Sequence, residues 1–342
     1  VDRSQTPPRK AWPVRYVRMF DMTNDSGLFL RRDELLAQDW QPAPPNDWRR
    51  GDEPGALALP LYEGKMVQMF DHRAADVVVN PANLHRAAQP RELSTAEHMQ
   101  AERFALPQYW VGAEHCSAVN PRGWALGFKE ITAPTNARTM IAAVLPRAGF
   151  GNKVPVLLLS GQGTRDEARM AALLAANLNA APFDFALRQK IQGQTINLFI
   201  LEQLPVIAPA DFDAPLGNET IGDFVCREVL RLTYTAHDMA AFAKDLGDVD
   251  AQGTVRPPFV WDESDRRRRM ALLDALFMHR NGIGRAEAAY ILDSVPIVRE
   301  KDEAAHGEYL TRRLVLQAMD EIASGGLARL AALSPAARRH GD

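Results

Sequence analysis

The chain has no run of about 18 apolar residues, the length that a membrane-spanning helix requires. Its 342 residues include two cysteines, Cys116 and Cys226, which lie far apart and outside any Cys-x-x-Cys pair. Neither a disulfide framework nor a zinc site is therefore indicated. The opening VDRSQTPPRKAWPVRY lacks an initiator methionine and the apolar core of a secretory signal. We expect a cytoplasmic protein without a membrane partner, and a chain that continues a longer one before Val1.

The net charge is only −3, but the charge is unevenly distributed. Residues 118–198 carry nine basic and four acidic residues, whereas residues 216–342 carry 17 basic and 20 acidic ones. A basic middle beside an acidic end indicates a polyanionic partner, although many solvated surfaces share this pattern. The basic and amide side chains cluster at predicted turns, where few acids accompany them.

Composition divides the chain into three regions. Residues 1–59 are rich in proline and tryptophan, as in QPAPPNDWRRGDEPG, and predict irregular connecting structure after a short strand near Tyr16–Phe20. Residues 60–215 mix strand and helix patterns, and residues 216–342 are nearly all helical in pattern. The predicted fold class is therefore α+β, in two or three domains.

The middle region has clear strand and helix patterns. WALGFK, residues 124–129, alternates with the two-residue period of a half-buried strand. RTMIAAVLP and KVPVLLLS are short apolar runs typical of buried strands. RDEARMAALLAANL predicts a helix capped by Thr164, with Asp166 and Glu167 in its first turn. QTINLFILEQLPV predicts a closing strand that stops at Pro205.

The last region predicts three helices. DESDRRRRMALLDALFMHRNGIG has an apolar face and a C-cap at Gly282. RAEAAYILDSV and GEYLTRRLVLQAMDEIAS predict the other two. The run DRRRRM, residues 265–270, is interpreted as a solvated helix face rather than a DNA contact. In FDHR, residues 70–73, the default interpretation is an ion pair between Asp71 and Arg73.

Two short patterns are candidates for a metal site and a phosphate-binding site. Asp52, Glu63 and Lys65 have the spacing of the acid–acid–lysine arrangement of a common nuclease fold, in which carboxylates hold Mg²⁺, but this spacing often arises by chance. SGQGT, residues 160–164, lies between strand and helix as phosphate-binding loops do, yet two glycines alone favour a plain turn. The adjacent residues of AEHCS, 113–117, point to opposite faces of an extended chain, so a shared metal is not indicated there.

Five segments then follow one another along the chain: RMFDMTNDSGLF, PLYEGKMVQMFDHR, GWALGFKEITAPTNARTMIAAVLP, LNAAPFDFALRQKIQGQTINLFILEQLPV and YILDSVPIVREKDEAAHGEYLTRRLVLQAMDEIA. In this order they resemble the C-terminal portion of the large adenine-N6 DNA methyltransferases of restriction-modification and related phage-defence systems. These type IIG-like proteins join a methylase to a TaqI-like target-recognition domain. The resemblance extends from Val14 to about Ala323.

The resemblance implies three parts: the tail of the methylase domain and a connector at 1–59, a mixed-sheet TaqI-like target-recognition domain at 60–215, and a mainly helical C-terminal domain at 216–342. The catalytic Asn/Asp-Pro-Pro-aromatic motif has no counterpart, because VNPANL from Val79 and VNPRGW from Val119 lack the second proline and the aromatic residue. The family's glycine-rich cofactor loop is also missing. We expect no catalytic residue, metal or cofactor in this chain, and S-adenosylmethionine in the full-length parent.

The partners implied are double-stranded DNA and the missing N-terminal methylase domain. Side chains at the turns of a rigid sheet can bind phosphates or read base edges in the major groove. The candidate DNA-binding residues are Lys129, Asn136, Arg138, Arg147, Asn152, Lys153, Gln162, Arg165, Lys190, Gln192 and Gln194. Arg138 suits guanine and the three glutamines suit adenine, whereas Lys129, Arg147, Lys153 and Lys190 suit phosphates.

The predicted function is sequence-specific DNA recognition for a site-specific adenine-N6 methyltransferase, without catalysis by this chain alone. Two alternatives stay open. One is a metal-dependent nuclease that uses Asp52, Glu63 and Lys65. The other is a protein-interaction module of a defence complex, whose helical end binds a partner subunit.

Overall fold

The structure is a computed structural model that describes residues 11–51, 56–79, 88–117 and 122–342. Its strands are β1 (Val14–Val17), β2 (Phe29–Leu30), β3 (Gln41–Ala43), β4 (Asp47–Arg49), β5 (Leu57–Tyr62), β6 (Ala75–Val78), β7 (Gln89–Glu92), β8 (Trp110–Gly112), β9 (Trp124–Phe128), β10 (Ala142–Pro146), β11 (Gly149–Phe150), β12 (Val156–Leu159), β13 (Pro215–Leu216) and β14 (Glu219–Thr220).

The α-helices are α1 (Arg32–Ala37), α2 (Thr95–His98), α3 (Thr164–Asn179), α4 (Ala181–Lys190), α5 (Leu198–Leu201), α6 (Ile221–Thr233), α7 (Ala240–Asp245), α8 (Glu263–Arg280), α9 (Arg285–Asp293), α10 (Pro296–His306), α11 (Leu310–Gly325) and α12 (Ala328–Leu333). Short 3₁₀ helices lie at Ser26–Leu28, Gly64–Met66, Ala113–His115, Pro209–Asp213 and His237–Met239. The fold is therefore mixed α+β, with antiparallel sheets and a helical C-terminal region.

A four-stranded antiparallel sheet in the order β1-β12-β9-β10 occupies the middle of the fold. The strand predictions for WALGFK, RTMIAAVLP and KVPVLLLS are confirmed as β9, β10 and β12. β9 was expected to be half-buried, but all five of its residues are buried. Its larger side chains, such as Trp124, join the main core, while Ala125 packs into a second apolar cluster on the other face.

A second sheet has the order β2-β8-β5-β4-β3, with β11 paired to β5 in parallel. Much of it comes from the first fifty residues, which were expected to be irregular, so that expectation is wrong. The proline-rich stretch forms the β3–β4 hairpin, and Trp48 from β4 packs edge-on against Trp110 from β8, with 5.9 Å between the ring centroids. Aromatic burial thus stabilises strands that proline content argues against. β5 runs across the expected boundary at 59/60.

α3 lies beneath the four-stranded sheet, and nearly every residue from Glu167 to Asn179 is buried. The helix prediction is confirmed, but the cap is not: Gly163 is the N-cap and Thr164 is the first helical residue. The carboxylates of Asp166 and Glu167 accept from the backbone N–H groups of residues 162 and 161. These donors of the glycine turn are therefore already occupied, which agrees with a plain turn.

The prediction of a closing strand in QTINLFILEQLPV is wrong. The segment makes one bridge between Thr195 and Ile131, and then forms the short helix α5. A short apolar run fits strand and helix equally well by periodicity, and here local backbone bonds decide. The N–H of Leu201 and of Glu202 donate to residues 197 and 198, one turn earlier.

The helical C-terminal region contains the three predicted helices as α8, α9 and α11, together with α10. α8 ends at Arg280 and its C-cap is Asn281, one position before the predicted cap, Gly282, which has a left-handed φ of +69°. One apolar cluster runs from Trp12 through β9, β10, α3, α6, α8 and α11 to Leu330. The sheet and the helices therefore share a core.

A buried polar junction, formed by Asp71, His72, Arg73, His98, Asp238 and Arg266, joins the sheet region to the C-terminal helices. The expected Asp71–Arg73 ion pair is wrong, because Asp71 pairs with His98 at 3.2 Å. The Arg73 guanidinium instead donates to the carbonyl oxygens of residues 98, 100, 103 and 235. Its Nε has no hydrogen-bond partner among the described residues, but the four bonds to backbone acceptors fix these loops in place.

The interpretation of DRRRRM as a solvated face is also wrong in part. Arg266 and Arg269 are buried, while Arg268 is exposed. The Arg266 guanidinium stacks 3.6 Å above the Trp261 ring and donates to the carbonyl oxygen of Phe70. Burial lowers the pKa of Arg266 to about 10. Residues three apart share one helix face, so Arg266 and Arg269 point inward together and only part of the run faces water.

Candidate nucleic-acid interface

The four-stranded sheet brings several predicted DNA-binding residues to one of its ends. Phe128 at the end of β9 faces Ala142 at the start of β10, and Gly127 faces Val156 at the start of β12. The connection from β9 to β10 and the turn before β12 therefore meet at the same edge. These two connections carry Lys129, Asn136, Arg138, Asn152 and Lys153.

The loop after α4 joins the same edge through backbone hydrogen bonds. The N–H of Thr132 donates to the carbonyl oxygen of Gln194 at 2.8 Å, and the N–H of Ile196 donates to that of Glu130 at 2.9 Å. The N–H of Glu130 in turn donates to the carbonyl oxygen of Lys153 at 3.1 Å. We call residues 129–138, 152–153 and 190–196 the loop face. Three connections, distant in sequence, form this continuous surface.

The loop face presents mainly polar side chains to solvent. Ile131 is an apolar exception, 40% exposed. Lys129 and Asn152 are partly buried. The predicted residues of the loop face that are exposed are Asn136, Lys153, Lys190, Gln192 and Gln194. Cations beside amides are the combination that contacts both phosphates and base edges.

A buried acid, Glu130, lies beneath the loop face, although the sequence predicted few acidic residues near its basic side chains. The Glu130 carboxylate is fully buried and accepts from Arg18 and from Lys153, the latter at 3.1 Å. Both cations remain about half exposed, at 49% and 51%. The hydrogen bond to Glu130 raises the pKa of Arg18. Glu130 therefore fixes two basic side chains at the edge of the loop face without reaching solvent itself.

Lys129 differs from the other lysines of the loop face. Burial lowers the pKa of its ammonium group, and the nearby carboxylate of Glu92 opposes that shift. The short turn around Gly64 packs against it, because a Cβ at Gly64 would lie 3.1 Å from the Lys153 carbonyl oxygen and 3.6 Å from Lys129 Cγ. This tight packing makes Lys129 a less accessible phosphate ligand than Lys153 or Lys190.

Arg138 does not point to solvent. Its guanidinium donates to Asp274 of α8 at 2.8 Å, and the arginine side chain is only 18% exposed. Asp274 also accepts from the N–H of Ala181 at 2.7 Å. In this structure Arg138 therefore anchors the loop face to α4 and α8, and its guanidinium is not presented for base reading.

Arg188 is a supporting residue that the sequence reasoning missed. Its guanidinium donates to the carbonyl oxygens of Pro134, Asn136 and Ala137, and it pairs with Asp184 one helical turn earlier at 2.8 Å. Asp184 also accepts from the N–H of residues 139 and 140. The signal was the Asp–Arg spacing of four in FDFALR, which places both side chains on one face of α4.

Three predicted residues lie at the opposite end of the sheet. Arg147 follows β10, whose last residue faces Trp124 at the start of β9. Gln162 and Arg165 follow the far end of β12. All three are exposed. The fold thus separates them from the loop face, and a single straight surface does not contain the whole predicted set.

The residues of the nuclease alternative are incompletely described. Lys65 pairs with Glu63 at 3.0 Å and donates to the carbonyl oxygen of Ala88 at 2.9 Å. Asp52, Val1 and the Asn-Pro pairs at 80–81 and 120–121 lie outside the described residues. Within the described ranges no group of three or more His, Cys, Asp or Glu side chains is arranged to hold a metal.

Among the described residues, no single helix has both the length and the apolar character to cross a membrane, and α3 with α4 meets the criteria only as a pair bent by 60°. No protein-family model, curated protein or solved structure matches the chain.

Proposed function

We propose that this chain is the DNA target-recognition and C-terminal part of an adenine-N6 DNA methyltransferase, with a TaqI-like recognition domain. The order of the five sequence segments supports the identity of the family. The observation that carries DNA binding is the gathering of three connections into the loop face by backbone hydrogen bonds. In this scheme the missing methylase domain binds S-adenosylmethionine and flips the target adenine, and both parts act in the cytoplasm.

The proposal divides the work among the side chains of the loop face. Lys153 and Lys190 contact phosphates, because they are exposed cations at its edge. Gln192, Gln194 and Asn136 read base edges, because exposed amides can pair with adenine N6 and N7. Arg138 and Arg188 hold the surface in shape from below.

The experiment is selection of a random-sequence duplex library by the chain at about 50 and 200 mM salt, with sequencing of the retained DNA. A recognition domain retains DNA with a steep salt dependence and enriches a short motif. Salt-sensitive retention without a motif would instead indicate a non-specific clamp. No retention at either salt would reject DNA binding and favour the protein-interaction module.

Single substitutions assign the binding to the loop face. Lys153→Ala or Lys190→Ala should weaken binding to all sequences and lower the salt slope by about 0.9 each. Gln192→Ala should relax the motif at one position. The matched control is Lys244→Ala on α7, which packs near the opposite end of β9, where Asp245 accepts from Trp124 Nε1. Equal losses with Lys244→Ala would contradict a role for the loop face.

A further inference from the structure

A cavity of about 1440 Å³ lies between α1, the β3–β4 hairpin and the segment 102–108. Its lining contains no residue of the loop face. Small-molecule sites are typically about 300–1,000 Å³, mostly apolar, with a few placed polar groups. The cavity is therefore large enough for an organic ligand, and it goes beyond the proposed role in DNA recognition.

The walls of this cavity are largely apolar and held in place. Phe104, Leu36 and Leu106 line it, and the two leucines are 54% and 48% exposed. Trp48 and Trp110 form its aromatic side. Trp110 Nε1 donates to the Asn46 carbonyl oxygen at 3.0 Å, and the Asn46 side chain donates to the Ala105 carbonyl oxygen at 2.7 Å. Such bonds fix the shape of the pocket before any ligand arrives.

Of the three carboxylates that line the cavity, that of Asp47 is the most buried, since the residue is only 9% exposed. Among the described residues no side chain donates a hydrogen bond to it, and its oxygens keep some contact with solvent. Burial raises the pKa of Asp47 to about 6, although Arg147 and Arg49 act in the opposite direction. The other charged residues that line the cavity are Arg31, Arg32, Asp33, Glu102 and His237.

A carboxylate that loses most of its water and gains no hydrogen bond in return is unfavourable. Groups of this kind concentrate at functional sites, where a ligand supplies the missing partner. Of the cavity's arginines, Arg32 is exposed and Arg31 lies 5.7 Å over the Tyr109 ring. Solvent and salt screen such charges more strongly than they screen the buried Asp47. The interior therefore selects a cation.

We propose that this cavity binds an organic cation with an apolar aromatic body. The ammonium or amidinium group donates to the Asp47 carboxylate. The body packs against Trp48, Phe104 and Leu106.

The test compares two probes of nearly the same shape, tryptamine and its neutral alcohol analogue tryptophol. Binding to the full chain is measured at pH 8 by ligand-observed NMR and titration calorimetry. Tryptamine should bind at least about tenfold more tightly than tryptophol, a difference of about 1.4 kcal/mol. Asp47→Asn should remove this preference, whereas Asp33→Asn, which removes an exposed carboxylate that lines the same cavity, should keep it.

A second readout uses the unmodified protein. Because protonation of Asp47 competes with the cation, tryptamine affinity should fall about tenfold between pH 7 and pH 5. Any contribution from Glu102 or His237 would persist in Asp47→Asn, so the comparison isolates Asp47. Equal affinity for both probes, an equal loss with Asp33→Asn, or no binding of tryptamine at several millimolar would each overturn the proposal.

Discussion

The free energy of unfolding should depend on pH through Asp47. The carboxyl is buried against apolar walls, and its pKa rises from 3.8 to about 6 on folding. The native state therefore holds a proton that the unfolded state has released between these values, so stability falls as pH rises through this window and levels off above it. A shift of about two pKa units corresponds to about 3 kcal/mol.

Asp47→Asn removes this titration while keeping the shape of the side chain. Relative to the unmodified protein, the variant should gain about 2–3 kcal/mol of unfolding free energy between pH 4 and pH 7. The difference between the two proteins is informative because all other carboxylates titrate in both. Urea unfolding followed by tryptophan fluorescence at each pH measures it.

The control is Asp33→Asn, since Asp33 is exposed and lines the same cavity. Its effect should stay within about 0.5 kcal/mol at every pH. A difference between Asp47→Asn and the unmodified protein that is constant with pH would refute the reasoning. So would a difference that shrinks as pH rises, because it would mean that folding favours the charged carboxylate.

Three further predictions concern buried groups. Arg73→Met should lower the free energy of unfolding, measured by urea denaturation, by about 3–5 kcal/mol, because four backbone carbonyl oxygens lose their donor. A loss below about 1 kcal/mol would contradict the structural role of the buried polar junction. Asp274→Ala should cost a similar amount, whereas Asp320→Ala, which breaks an exposed ion pair, should change stability by less than about 1 kcal/mol. Burial raises the pKa of Cys116 and of Cys226 to about 12, and Cys116 is buried whereas Cys226 is partly exposed. Iodoacetamide at pH 8 should therefore leave Cys116 unmodified in the native chain, react slowly with Cys226 and modify both in urea; rapid native labelling of Cys116 would contradict its burial.

The sequence was most informative where one pattern had one meaning. β9, β10 and β12 were readable because apolar runs closed by turn residues suit buried strands, and α3 was readable because its acids sit in the first turn. The strand prediction for QTINLFILEQLPV was wrong because a short apolar run fits a strand and a helix equally well. Its Phe199 is 62% exposed rather than buried in a sheet. The β3–β4 hairpin was not predicted, because tertiary packing of Trp48 outweighs the effect of the local prolines.

The loop face was only partly predictable for a related reason. Residue type identified Lys153, Lys190 and Gln192 as polar turn residues, but only the strand register shows that their turns meet. The same register removes Arg147 to the other end of the sheet. The pairing of Arg138 was not predictable from nearby residues, because its partner, Asp274, comes from a helix 136 residues later.

The long-range contacts of α8 have a consequence for synthesis of the protein. Arg266 donates to the carbonyl oxygen of Phe70, 196 residues earlier, and Asp274 accepts from Arg138, 136 residues earlier. The strands of the four-stranded sheet are synthesised well before α8. They therefore leave the ribosome without Arg266 and Asp274, and the apolar surface that α8 covers in the shared core is still exposed. The nascent chain should therefore depend on chaperones until α8 has left the exit tunnel, and only then can the loop face reach its final form.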